Sequence, residues 1–340
     1  MLADSERRVL EGVNRVAWGE PMGYGEFAMC VVSLLRYLGE EVDHSYVTAV
    51  SGSAFRMFMP NDPWNPSGYH VANNPDIPIH TFLMLGYEVS QHPKGAADVD
   101  TRRIMSSIDR GIPVITLEGV VNCADCCIIT GYDSGGDVLL GWSNFQSPPD
   151  HTEEPDVTGY FRKTGWHAAW NSDRPYYYIV GERVGRPPEA EVYRETLALA
   201  ARLIRGTVSD GGCSGRAAYA AFAKALLSDD FGSSENGFFM AHLTILCNHM
   251  MYSDKKRTVD FLASAAECMP EHRGALTASA QCYRQIGDLC DELETVVADF
   301  SEESAKALKD YATRERYAAI VCRIRDLETE AAQCFEAVAG

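Results

Sequence analysis

Apolar positions follow one rhythm in the first half of the chain and another in the second. In residues 21–39 (PMGYGEFAMCVVSLLRYLG) a glycine-rich stretch leads into Phe27, Val31, Leu34, Leu35 and Leu38, spaced to line one helix face. Gly39 follows, where a helix end favours a residue that tolerates positive φ. Helical patterns also cover residues 44–50, a short stretch from 76 and residues 100–110, with a strand expected at 87–90. Apolar, β-branched runs at 112–117, 126–130 and 138–142 predict strands, as do residues 159–162 and 176–180. The DSGG at 133–136 supplies glycines for a hairpin turn. Residues 3–17 fit either a helix or a strand ending at Trp18. Helices first and strands later predict an α+β domain with antiparallel pairing.

Beyond residues 181–188 (GERVGRPP), which read as a linker, the strand signals stop. Ala, Leu, Glu, Arg and Met dominate, and helices are expected at 189–204, 216–227, 237–251, 255–269, 272–300 and 302–338. DGGCSG at 210–215 and residues 228–237 read as loops. Two domains follow: an α+β domain over 1–183 and an all-α helical bundle over 189–340.

The formal net charge of −18 argues against nucleic acid and anionic membrane surfaces, which need clustered Lys and Arg. No apolar run reaches the ~20 residues that span a bilayer. The N-terminus carries no cationic segment followed by an apolar core. The 11 cysteines show no framework spacing, so reduced thiols and a cytoplasmic location are expected.

Cys30 is the first candidate for chemistry. A thiol in the first turn or so of a helix feels the positive dipole end, which favours thiolate. Glu26, one turn earlier, pushes the other way. The Gly/Pro/Asn-rich loop over residues 51–70 carries Trp64 and His70, candidates to line a cleft and to bring in a general base. His80 and His92 are further candidate bases. Trp142 and Asn144 end a strand and are candidate substrate contacts. CADCC at 123–127 contains a CxxC, but no second CxxC or HxxxH completes a zinc set. Neither a metal nor a cofactor is expected.

The run GYGEFAMCVVSLLRYLGEEVDHSYVTAVSGSAFR, then SIDRGIPVITLEG, CCIITGYDSGGDVLLGW and GYFR, resembles two related bacterial groups. One is the papain-like peptidases that process bacteriocin leader peptides. The other is the N-terminal domain of the butirosin-biosynthesis acyltransferase. The resemblance covers roughly residues 8–181 and implies a papain-like fold with a nucleophilic cysteine at the head of the helix. Cys30 matches that nucleophile. Tyr24 stands where the peptidases place an oxyanion-hole Gln, and Asp125 where they place the catalytic His. Asn144 lies near the position that orients that His.

Two functions follow. The first is a thiol acyltransferase or amide hydrolase, with an acyl-Cys30 intermediate, Tyr24 stabilising the oxyanion and Asp125 or a displaced His moving protons. Its partners would be an acyl carrier protein or an amino-bearing small molecule. The second is a catalytically silent papain-like scaffold that binds a small molecule or peptide. In that second reading the helical half serves as a lid or as a dimer surface.

Overall fold

The structure, a computed structural model, describes residues 7–17, 25–117, 120–121, 126–148, 152–169, 176–233, 235–299 and 301–340. In chain order it forms β1 (Arg8–Val9), α1 (Glu26–Tyr37), α2 (His44–Val50), β2 (Phe58–Pro60), α3 (Asp76–Met84), β3 (Tyr87–Pro93), α4 (Ala97–Asp109), β4 (Val114–Thr116), β5 (Cys127–Asp133), β6 (Val138–Trp142), β7 (Phe161–Thr164), α5 (Trp166–Ala169) and β8 (Tyr176–Arg183). Then come α6 (Glu189–Arg205), β9 (Val208–Ser209), β10 (Gly212–Ser214), α7 (Gly215–Leu226), α8 (Glu235–Lys256), α9 (Thr258–Cys268), α10 (Arg273–Val296), α11 (Glu302–Ala307) and α12 (Tyr311–Ala339). The chain is α+β with antiparallel sheets and a helical C-terminal region. It divides into two compact units.

The first unit comprises the described residues within Met1–Val47 and His70–Pro187. Its strands form one antiparallel sheet in the order β3-β8-β4-β5-β6-β7, with β1 added to β5. Strands β4 and β6 are buried along their whole length, and β5 up to Asp133. That is why they read as unbroken apolar runs rather than alternations. Helices α1 and α4 pack on β5. The ambiguity over residues 3–17 resolves into a two-residue strand, β1. It needs Gly131 opposite, because a Cβ there would lie 2.6 Å from the Arg8 carbonyl oxygen.

An ion cluster fastens Arg7, beside β1, to the end of β5. Arg7 donates to Asp133 at 3.2 Å and to Asp156 at 2.8 Å, and Arg162 donates to Asp133 at 3.2 Å. Burial alone would raise the Asp133 carboxyl. Hydrogen bonds from Arg162, the Ser134 N–H and Arg7 outweigh it and hold the group below the usual range.

The second unit comprises the described residues within Thr48–Tyr69 and Pro188–Gly340. The segment 48–69 therefore packs with the helices, not with the α+β unit to which a break at 183–189 would assign it. Two contacts account for this. β2 pairs with β10, setting Met59 opposite Cys213, and β10 pairs with β9. Phe55 meets Tyr283 and Phe335 edge-on, both at 5.6 Å. The DGGCSG segment reads as a loop because its strand, β10, exists only through the partner that β2 supplies.

At the centre of this unit lies a buried ion pair. Lys255, fully buried, donates to Glu328 Oε1 at 2.7 Å, to Ala54 O at 2.9 Å and to Arg56 O at 3.3 Å. Glu328 also accepts from Tyr219 at 2.7 Å and Tyr283 at 3.2 Å. All three ammonium protons are thus used, and both carboxylate oxygens are occupied. Lys255→Met would leave a buried carboxylate without its countercharge and two carbonyls without a donor. It should destabilise the chain by about 3–5 kcal/mol in urea unfolding. Lys255→Met/Glu328→Leu should lose less than the single substitution, because no lone charge remains.

His249 on α8 stacks on Tyr317 at 5.5 Å between ring centroids. Burial, then the neighbouring His242 and Lys256, depress its pKa from 6.5 to about 4. The unfolded chain therefore takes up this proton as pH falls through 6.5, while the folded chain stays neutral until about pH 4. Stability is fully present above pH 6.5 and falls across that window, by on the order of 3 kcal/mol. Urea unfolding at pH 7 and pH 4.5 checks this. His249→Phe should remove that component, and an unchanged acid loss in the variant would refute the assignment.

Candidate functional site

The helix α1 is where the sequence concentrates its signals, and its geometry separates Glu26 from Cys30. Gly25 is the N-cap and Glu26 the first helical residue. Cys30 comes one turn later. Every residue from 26 to 35 is buried, with Cys30 at 0% and Glu26 at 5% exposure. A helix buried all round has no face to present a thiol to solvent. The position at the positive end of the dipole belongs to the Glu26 carboxylate, which that end favours.

Two further groups converge on Glu26. His70 follows a 3₁₀ turn, Pro66–Tyr69, and opens another, Val71–Asn73. Its carbonyl accepts from both the backbone N–H and the side-chain amide of Asn73, at 3.2 and 3.1 Å, which fixes the backbone that carries the imidazole. Cys126 immediately precedes β5, whose first residue, Cys127, pairs with Thr116 of β4. The Glu26 carboxylate, the His70 imidazole and the Cys126 thiol each place one donor atom within 4.8 Å of the others. His70 is 2% and Cys126 1% exposed. Among the described residues this is the group of Cys, His and acidic side chains able to hold a metal ion. The same three types can also take up, hold and pass protons, and supply a thiolate.

The candidates from sequence fall as follows. Tyr24 and Asp125 lie outside the described residues, as does Cys123. His70 is in the group. Asn144 is half-buried in the turn after β6. Ile128 of β5 pairs with Trp142 of β6; in sequence Cys126 lies two residues before Ile128 and Asn144 two residues after Trp142. Trp142 is committed to packing: its indole N–H donates to Val13 O at 2.9 Å, and its ring meets Tyr160 edge-on at 4.7 Å. Trp64 belongs to the helical unit, where Phe231 and Phe222 meet it edge-on at 5.1 and 6.4 Å.

The group in the structure lies beside two of the sequence candidates: Glu26 is one helical turn before Cys30, and Cys126 follows Asp125 in the chain. A signal for Glu26 was present: it is the one charged residue between positions 21 and 35, and a buried helix does not carry a charge without a partner.

None of the described cysteines forms a disulfide. Burial pushes Cys282 up to about 11, with Glu330 and Cys334 adding to it, and pushes Cys290 up to about 12. The helical unit also carries a groove of about 810 Å³ lined by Met59, Val208, Cys213, Lys224 and Asp229 among others. Burial raises the Cys213 thiol as well, which disfavours its thiolate. No helix among the described residues is long and apolar enough to cross a membrane. No family model matches the chain, and no curated protein matches it.

Cysteine-resolved alkylation tests the division between Cys30 and the surface. In the folded chain iodoacetamide should modify the partly exposed Cys213, Cys268, Cys322 and Cys334 first. Cys30 should react only on unfolding. Fast labelling of Cys30 in the native chain would reverse its placement as core. Cys30→Ala should cost about 1 kcal/mol, the range for losing a small buried apolar group.

Proposed function

We propose that the first unit is a papain-like domain that hydrolyses or transfers at an amide or thioester carbonyl, with Glu26, His70 and Cys126 as its reacting centre and Cys30 as core. One observation carries this reading. Three groups of different chemistry, brought from the head of α1, the turn at His70 and the start of β5, converge within 4.8 Å. Convergence of a carboxylate, an imidazole and a thiol from distant parts of a chain serves chemistry better than packing, because each must be desolvated to be there.

The class of reaction comes from the motif resemblance. Papain-like enzymes keep their reacting groups at a helix head and at the start of the strand that leads into the Gly-Tyr-Asp turn. In this chain the matching positions are Cys30 and Asp125, and Glu26 and Cys126 lie beside them in sequence, one turn before Cys30 and one residue after Asp125. The net charge of −18 favours a neutral or cationic acceptor, such as an amine-bearing small molecule, over a polyanion. A thioester donor on an acyl carrier protein fits the acyl-transfer form.

The second reading is a silent scaffold that binds a small molecule or peptide. It draws on the burial of all three groups, at 5, 2 and 1% exposure. A panel of activated esters, thioesters and p-nitroanilides separates the two. Under the first reading Cys126→Ala and His70→Ala cut kcat/KM by about 100-fold or more, while Cys30→Ala leaves it nearly unchanged. Loss of activity in Cys30→Ala, in a folded variant, would restore Cys30 as the nucleophile. Absence of turnover across the panel would overturn the reaction and favour the scaffold.

A further inference from the structure

We infer that Glu26, His70 and Cys126 are the protein ligands of a divalent ion of the zinc type. This rests on the same three residues as the proposed function and is independent of whether the reaction occurs.

The first argument is spacing. A thiol, imidazole and carboxylate can cooperate as a relay, in which the ring lies between its two partners and uses a different nitrogen for each. With the ring between them, sulfur and carboxylate oxygen stand roughly 7 Å apart. Here a sulfur, a carboxylate oxygen and a single ring nitrogen are all mutually within 4.8 Å. That is convergence on a common point rather than a line through the ring. A metal ion is what occupies such a point.

Bond lengths agree with this. Zinc takes sulfur at about 2.3 Å and nitrogen or oxygen at about 2.0–2.2 Å, so tetrahedral donors stand about 3.4–3.6 Å apart. Donors already within 4.8 Å need to close by little more than about 1 Å. Small side-chain rotations on fixed backbones supply that. The backbones are fixed here by the first turn of α1, by the two hydrogen bonds from Asn73 to the His70 carbonyl, and by the pairing of Cys127 with Thr116.

The donor types choose the ion. A thiolate selects against Mg²⁺ and Ca²⁺, which take oxygen ligands, and an imidazole with a thiolate suits Zn²⁺ and its neighbours in the first row. Charge closes the case. A thiolate and a carboxylate carry two negative charges, which a divalent ion cancels. The site can then be as buried as it is without a net charge in the interior. Three donors make up the group among the described residues. A three-donor site keeps a position for water or substrate, as zinc sites that do chemistry have.

The test uses the full chain and metal content rather than activity. Protein stripped with a chelator is titrated with Co²⁺, and with Zn²⁺ in competition. We expect one ion per chain, with a thiolate-to-Co²⁺ charge-transfer band and d–d bands of low-symmetry tetrahedral form, bound at about micromolar or tighter. Cys126→Ala and Glu26→Gln should lose the ion or weaken it at least tenfold, while Cys213→Ala and Cys30→Ala keep it. His70→Cys, which keeps a donor, should still bind and show a stronger charge-transfer band. That variant guards against loss through misfolding. Failure of the stripped wild-type chain to take up either ion overturns the inference, as does uptake unchanged in Cys126→Ala. Binding without turnover of any substrate would sink the proposed reaction and leave this site standing. Turnover by chelator-stripped protein that takes up neither ion would do the reverse.

Discussion

Glu26 is a carboxylate on the first residue of a helix whose first ten residues are all buried. Placing an acid there removes it from water, at a cost of several kcal/mol unless the surroundings answer its charge. The helix N-terminus answers part of it through its free N–H groups and dipole. His70 and Cys126 stand close enough to answer more. Much of the first unit can be read as the means of holding those neighbours in place. The β-sheet pins the start of β5 between β4 and β6, with β1 added at Gly131. Asn73 pins His70 from its own turn. Groups held by sheet and helix ends keep their geometry better than groups on long loops.

The same physics sorts the thiols. A cysteine is either a small apolar filler or a nucleophile and ligand, and surroundings decide which. Burial is the largest cause that pushes the thiols of Cys282 and Cys290 far above neutral pH. Cys30 shares that burial in α1. Cys126 is equally buried but faces an imidazole and a carboxylate within 4.8 Å. Exposure does not distinguish Cys30 from Cys126.

The second unit solves a separate problem with the same means. Lys255 satisfies two carbonyls in the segment 48–69 and a carboxylate on α12, so one buried ammonium joins pieces of chain about 200 residues apart in sequence. Two tyrosines complete the carboxylate's hydrogen bonds. A paired and fully hydrogen-bonded charge of this kind fixes one arrangement of helices, because every alternative leaves it unsatisfied.

The local pattern of the chain determined its elements. The spacing of Phe27, Val31, Leu34 and Leu35 set α1, the stretch 44–50 became α2, and the apolar runs near 114, 127 and 138 became β4, β5 and β6. These are short-range signals, set by side-chain period and by residues that begin or end an element. The two-residue strand β1 and the pairing of β2 with β10 left no such mark, because two or three residues carry no period and form strands only when a distant partner supplies the hydrogen bonds. Candidate chemistry divided along the same line. His70 was legible as a polar residue in an aromatic loop, and the helix bearing Glu26 was legible as the organising element. Which residues met was decided by tertiary structure alone. Residues 26, 70 and 126 are far apart in sequence, and one turn of helix or one residue of strand changes which side chain points at a common centre.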